Sequence, residues 1–166
     1  MKRKGHGAAL YVTRGALVGA LYVALTYLSS IVGLSSGVVQ FRISEALCIL
    51  PVFMPEAIPG LFIGCMLSNL LATGVEPLDI ILGSTATLIG ALGAYFMRKL
   101  PRPIMWLATL PTILANMMLI PFVLIFAYGA EPGGFWFYML TVGIGELVCA
   151  GFGGAGLYYS LKKVRF

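Results

Sequence analysis

Arg42, Glu45, Asn69, Asp79, Asn116 and Glu146 stand out because each interrupts a stretch that is otherwise apolar. A carboxylate accepts two donors side by side, an amide both donates and accepts, and a guanidinium donates as a fork. Such a set suits recognition of a solute with a hydrogen-bonding edge, such as a heterocycle. It does not suit bond-making chemistry. The chain has no Walker A sequence, no HExxH, no acidic metal-binding cluster and no Ser–His pair, and its single histidine, His6, lies in a basic N-terminal stretch. Cys48, Cys65 and Cys149 are widely spaced in apolar runs, without a CxxC pair or a histidine partner, and read as small core residues. No catalytic residue, metal ligand or cofactor is expected, and any step that needs ATP falls to another polypeptide.

The elements that position these groups follow from composition. Of 166 residues, 60% are hydrophobic and 10% charged, whereas soluble domains carry about 25% charged residues. An ordinary soluble enzyme, a disordered chain and a secreted disulfide scaffold are excluded, leaving a single membrane domain over 1–166. Gly, Pro and charge punctuation divides the chain into six apolar segments, at about 11–32, 43–54, 57–73, 78–97, 104–126 and 135–161. The expected fold is an all-α bundle of six transmembrane helices. The first apolar stretch is too long for a signal-peptide core. The second segment is short and ends at Pro51 and Pro55, so it is either a continuous span or a broken, re-entrant helix.

The net charge of +5 is a topology signal, and no nucleic-acid partner is expected. Lys2, Arg3 and Lys4 precede the first segment, and Arg14 falls in its first turn. Arg98, Lys99 and Arg102 separate the fourth from the fifth, and Lys162, Lys163 and Arg165 follow the sixth. Six spans put all three clusters, and both termini, on the cytoplasmic side. Arg42 then lies at the outer end of the second segment, with Glu76 and Glu131 in outer loops. Trp136, with Phe135, Phe137 and Tyr138, fits an outer aromatic belt, and Trp106 an inner one.

Ionisable groups at membrane depth usually face a bundle interior, a cavity or each other. Glu146 lies roughly 16 Å into the sixth segment, near the midplane. Gly143, Ala150 and Gly153 share its helical face, a small-residue stripe that turns it inward. It is either a ligand group or a carboxylate satisfied by hydroxyls or by Arg42. Thr109, Thr112 and Asn116 form a polar stripe on the fifth segment, where Asn116 meets either a ligand or a neighbouring helix. Asp79 heads a stripe of Gly83, Ala86, Gly90 and Ala94, and either binds or complements its helix dipole. Arg42 and Glu45, one turn apart, either pair with each other or line a mouth beneath the loop 33–40. All the strong polar groups fall in the outer half of the membrane or at its midplane, which describes a cup open to the outside and not a pore. On the first segment Ala16, Ala20 and Ala24 recur every four residues beside Gly15 and Gly19. That smooth surface serves either docking of a partner or packing within the bundle.

The segment Gln40-Phe41-Arg42-Ile43-Ser44-Glu45-Ala46-Leu47 resembles the QueT family, the queuosine-precursor substrate-binding components of energy-coupling-factor transporters. The likeness continues through Pro55-Glu56-Ala57-Ile58-Pro59-Gly60-Leu61-Phe62-Ile63-Gly64-Cys65, Ser68-Asn69-Leu70-Leu71 and Asp79-Ile80-Ile81-Leu82-Gly83-Ser84-Thr85-Ala86-Thr87-Leu88. It implies a multi-pass protein of the bacterial cytoplasmic membrane that captures a 7-deazaguanine, such as 7-aminomethyl-7-deazaguanine or its nitrile, from outside. It also implies association with a membrane coupling subunit, met by Ala16, Ala20 and Ala24, and with two cytoplasmic ATPases. The candidate substrate-binding residues are Gln40, Phe41, Arg42, Glu45, Asn69, Asp79, Asn116 and Glu146. Phe41 or an aromatic of the 135–138 run is available to stack on the planar base. A stand-alone proton-coupled carrier, with Glu146 as its proton site, is the alternative.

Overall fold

A computed structural model describes residues 4–33, 41–72 and 76–164; Gln40 lies outside them. The regular structure among the described residues is helical. In order it comprises α1 (Lys4–Ile31), a 3₁₀ helix (Ile43–Val52), α2 (Ala57–Leu70) and α3 (Pro77–Phe96), a 3₁₀ turn (Met97–Lys99), a longer 3₁₀ helix (Arg102–Thr109) that leads into α4 (Leu110–Phe126), and another 3₁₀ turn (Pro132–Gly134). The chain ends with α5 (Phe135–Glu146), a π-helical stretch (Leu147–Gly153) and α6 (Gly154–Leu161). Among the described residues, four stretches are long and apolar enough to cross a membrane: Gly7–Ile31, Pro77–Lys99, Arg102–Phe126 and Pro132–Leu161. Ile43–Val52 and Ala57–Leu70 are apolar but shorter.

Burial is inverted relative to a soluble protein. Phe126 is 74% exposed and Trp136 70%, while Ser44, Thr87 and Thr112 are fully enclosed. Apolar groups face outward because the surrounding medium is hydrocarbon, and polar groups turn inward to find one another.

The sequence explains where the helices change winding. Pro111 cannot donate a backbone hydrogen bond, so the turn before it winds as 3₁₀ and the α-helix starts afresh at Leu110, with proline in its first turn. The fifth segment is therefore two helices in series. The sixth is also interrupted, by the π stretch that begins at the residue after Glu146. The wider π turn shifts the helical phase. Gly154 is consequently buried and Gly153 exposed, so the inward stripe expected to run through Gly153 passes to its neighbour.

Packing around α1 rests on glycine. Gly15, Val18, Gly19, Tyr22, Thr26 and Ser29 form its buried face, while Ala16, Ala20 and Ala24 lie exposed on the other side. The glycines and alanines thus do not share one surface. A methyl at Gly19 would lie 2.9 Å from the Gly60 carbonyl oxygen, and one at Gly64 would lie 2.9 Å from that of Gly19. The α1 and α2 backbones touch, and the rising numbers on both sides show that the two helices run parallel.

The 3₁₀ helix therefore descends between them. Thr26 donates to Ser44 at 2.8 Å and the Ile43 amide donates to Ser29 at 3.1 Å, while Arg14 reaches Glu56 at 3.1 Å. The α1 stretch from Arg14 to Thr26 rises about 18 Å. Ten residues of 3₁₀ helix rise about 20 Å, against about 15 Å for α, so the tighter winding covers that depth. This segment, the shortest in the sequence reading, sits at the centre of the bundle, packed against α1, α2, α3, α6 and the π stretch.

Gly60→Ala should lower the thermal unfolding midpoint in detergent, at a cost of about 1–3 kcal/mol, because the new methyl would overlap the Gly15 carbonyl and push α1 from α2. Gly156→Ala, whose methyl would meet nothing within 4 Å, should leave the midpoint unchanged or raise it slightly.

Candidate functional site

Arg42 has extended backbone (φ −99°, ψ 97°) and caps the 3₁₀ helix without belonging to it. Its side chain therefore leaves the face that carries Glu45 and crosses to α3, where the guanidinium stands 3.6 Å from Asp79. The intrahelical Arg42–Glu45 pair open to the sequence is not formed. Asp79 also accepts from the Tyr128 hydroxyl at 3.2 Å, and its main-chain carbonyl accepts from the Asn69 amide at 3.0 Å. Gly83 makes room for this cluster, since a methyl there would lie 2.8 Å from the Asn69 amide nitrogen and 3.2 Å from the Asp79 carboxylate. Burial and the Asp79 charge push the Tyr128 phenol up to about 12, so it remains a donor across the physiological range.

Glu45 is enclosed and held by protein donors: the Tyr22 hydroxyl donates to one oxygen and the Cys48 thiol to the other at 3.2 Å. Cys48, Cys65 and Cys149 are all free and buried.

Glu146 is bonded differently. It is 6% exposed, and its Oε2 has no hydrogen-bond partner. Together with Arg42, Asn116, Ile120 and Val142 it lines an internal cavity of about 10 Å3, room for about one water. Asn116 donates to the Thr112 carbonyl at 3.2 Å, which keeps its amide beside Glu146. The Thr112 hydroxyl is a second buried group without a partner. An unpaired buried polar atom costs about 1–3 kcal/mol, more for a charged one. Such groups are few in folded proteins, and strain, a bound water or ion, or a functional role accounts for them.

The structure thus brings Arg42, Asp79 and Asn69 into one cluster and Arg42, Asn116 and Glu146 around one cavity. Arg42 belongs to both. Phe41 is half-buried just before Arg42, and Trp136 and Phe137 point outward, as belt residues do. Tyr22 and Tyr128 were not singled out from the sequence, and Cys48 was read there only as a small core residue. Tyr22 carries a signal, because it continues the glycine face of α1. Tyr128 carries none that separates it from an interfacial aromatic.

An apolar exterior around buried, charge-bearing groups defines a multi-pass membrane protein whose polar chemistry is internal. The chain belongs to the QueT transporter family, whose family model matches residues 12–163. It is 36% identical over 92 residues to the queuosine precursor transporter QueT of Lactococcus lactis subsp. cremoris (strain MG1363). That match covers 55% of this chain and 53% of the relative, so the chain spans about half of the relative's length. Membership sets the chain among transporters and not enzymes. No solved structure matches it.

Arg42→Gln and Asp79→Asn should each destabilise the protein, and the double variant should lose less than the sum. The coupling, read from thermal or denaturant unfolding of the full cycle, should be about 0.5–3 kcal/mol. Strict additivity would show that the pair contributes nothing.

Proposed function

We propose that this chain is the substrate-binding component of an energy-coupling-factor importer and captures a 7-deazaguanine queuosine precursor from outside. The observation that carries the reading is the unpartnered Glu146 carboxylate oxygen in a buried cavity shared with Arg42 and Asn116. A guanine-like edge offers N1–H and an exocyclic amine, two parallel donors that one carboxylate accepts together. The carbonyl of the base then takes a donor from Asn116 or Arg42. The same interior sets Glu45, Asp79 and Glu146 against one guanidinium, which favours a ligand that brings its own positive charge, as an aminomethyl group does. Phe41, half-buried beside Arg42, is the aromatic assigned to stack on the base.

Six spans with both termini in the cytoplasm agree with the alternating course of α1, the central 3₁₀ helix and α2. The two short segments complete crossings that the bundle shelters from lipid. The cavity holds far less than the roughly 300–1,000 Å3 of ligand pockets, so capture requires the Arg42–Asp79–Tyr128 cluster or α5 to move. ATP hydrolysis belongs to two cytoplasmic partner subunits and coupling to a membrane subunit. Ala16, Ala20 and Ala24 suit contact with that membrane subunit, since they are exposed and small while the glycines beside them are taken by α2. The proton-coupled alternative also draws on Glu146, because a buried carboxylate with a free oxygen is a proton site.

Glu146→Gln turns one acceptor into a donor that faces a donor of the base. Titration calorimetry with the aminomethyl and nitrile ligands should show binding weakened by about 2–4 kcal/mol, or roughly thirtyfold to a thousandfold. Unchanged affinity for both ligands removes Glu146 from the site. Retained binding with uptake driven by a pH gradient in proteoliposomes of this chain alone favours the carrier. Ala20→Leu should block assembly with the coupling subunit, read by co-purification, and leave ligand binding intact. Loss of both would put the stripe inside the bundle.

A further inference from the structure

At the end of the bundle far from Asp79, a second cavity of about 270 Å3 opens where the Arg102–Thr109 helix begins and α6 ends. It is lined by Arg102, Pro103, Tyr159, Lys162 and Lys163. The Tyr159 hydroxyl donates to the Pro103 carbonyl at 3.4 Å and ties the two walls together, and the Lys162 ammonium stands 4.6 Å over the Tyr159 ring. Among the described residues no carboxylate is in ion-pair range of Arg102, Lys162 or Lys163; the pairs formed are Arg14–Glu56 and Arg42–Asp79. Lys162 and Lys163 follow the C-terminus of α6, where the helix dipole favours cations. That accounts for two of the charges and not for Arg102, which faces them from another element.

The depth of the cleft indicates what neutralises it. It lies where two long apolar stretches, Arg102–Phe126 and Pro132–Leu161, leave the hydrocarbon. Trp106, 44% exposed, and Tyr159, 43% exposed, accompany it as aromatics do at the headgroup level. Three cations around a cleft at that level, with no carboxylate partner among the described residues, attract an anionic headgroup.

We propose that this cleft binds the phosphodiester of an anionic membrane lipid, its oxygens taken by Arg102, Lys162 and Lys163 and its glycerol side against Tyr159. The site is separate from the Glu146 cavity and independent of what the protein transports.

Native mass spectrometry of the purified full chain, titrated with phosphatidylglycerol, phosphatidylcholine or inorganic phosphate, tests this. One phosphatidylglycerol should bind in preference to phosphatidylcholine. R102Q/K162Q/K163Q should weaken it by about a hundredfold, at about fivefold per cation removed. R98Q/K99Q, which removes charge at the same membrane level but outside the cleft, should cost less than about fivefold. All these positions are exposed, and unchanged unfolding midpoints would confirm that both variants fold. The proposal fails if phosphatidylglycerol shows no preference or if both variants lose affinity equally, which would mean diffuse attraction. It fails also if millimolar inorganic phosphate displaces the lipid, which would make the cleft a site for the free anion.

Discussion

The ion pair between Arg42 and Asp79 joins the central 3₁₀ helix to α3 and sets the electrostatics of the interior. A guanidinium cannot stay in an apolar bundle without an acceptor, and Asp79 at 3.6 Å provides one. Asp79 in turn holds the Tyr128 phenol, while its own carbonyl holds Asn69. The other side of the guanidinium borders the cavity of Glu146. One cation thereby serves two acidic sites, and whatever displaces it alters both.

Close backbone contact is the mechanical counterpart of that pairing. Without a hydrophobic force between helices in lipid, α1 and α2 adhere through glycines that bring carbonyl oxygens against neighbouring backbone. This leaves the alanine face of α1 unused inside the bundle and exposed to its surroundings. The parallel course of α1 and α2 then obliges the chain to return between them, and the 3₁₀ helix does so within ten residues by rising further per residue than an α-helix. Its central position encloses Glu45, whose charge is accommodated by Tyr22 and Cys48.

Glu45 and Glu146 therefore differ in bonding. Glu45 is satisfied on both oxygens by donors of the protein. Glu146 stands where α winding gives way to π winding, a change that reorients side chains and recurs at functional sites in helices. Its free oxygen and the Asn116 amide line the same small cavity.

Much of this was legible in the sequence, because hydropathy and charge act locally. Six helical segments, the inward stripes from Asp79 to Ala94 and from Thr109 to Asn116, and the burial of Glu146 follow from apolar runs and helical spacing, and the structure reproduces them. The QFRISEAL segment sufficed to indicate the family. What the sequence left open depended on distance between elements. Whether Arg42 meets Glu45 or Asp79 is decided by one extended residue before a 3₁₀ helix, which no spacing rule foresees. The division of glycines and alanines between opposite faces of α1 is decided by α2. The unequal fates of Glu45 and Glu146 are decided by which donors other helices bring to them. Local pattern fixes which side chains must turn inward, and only tertiary packing determines which of them find partners and which do not.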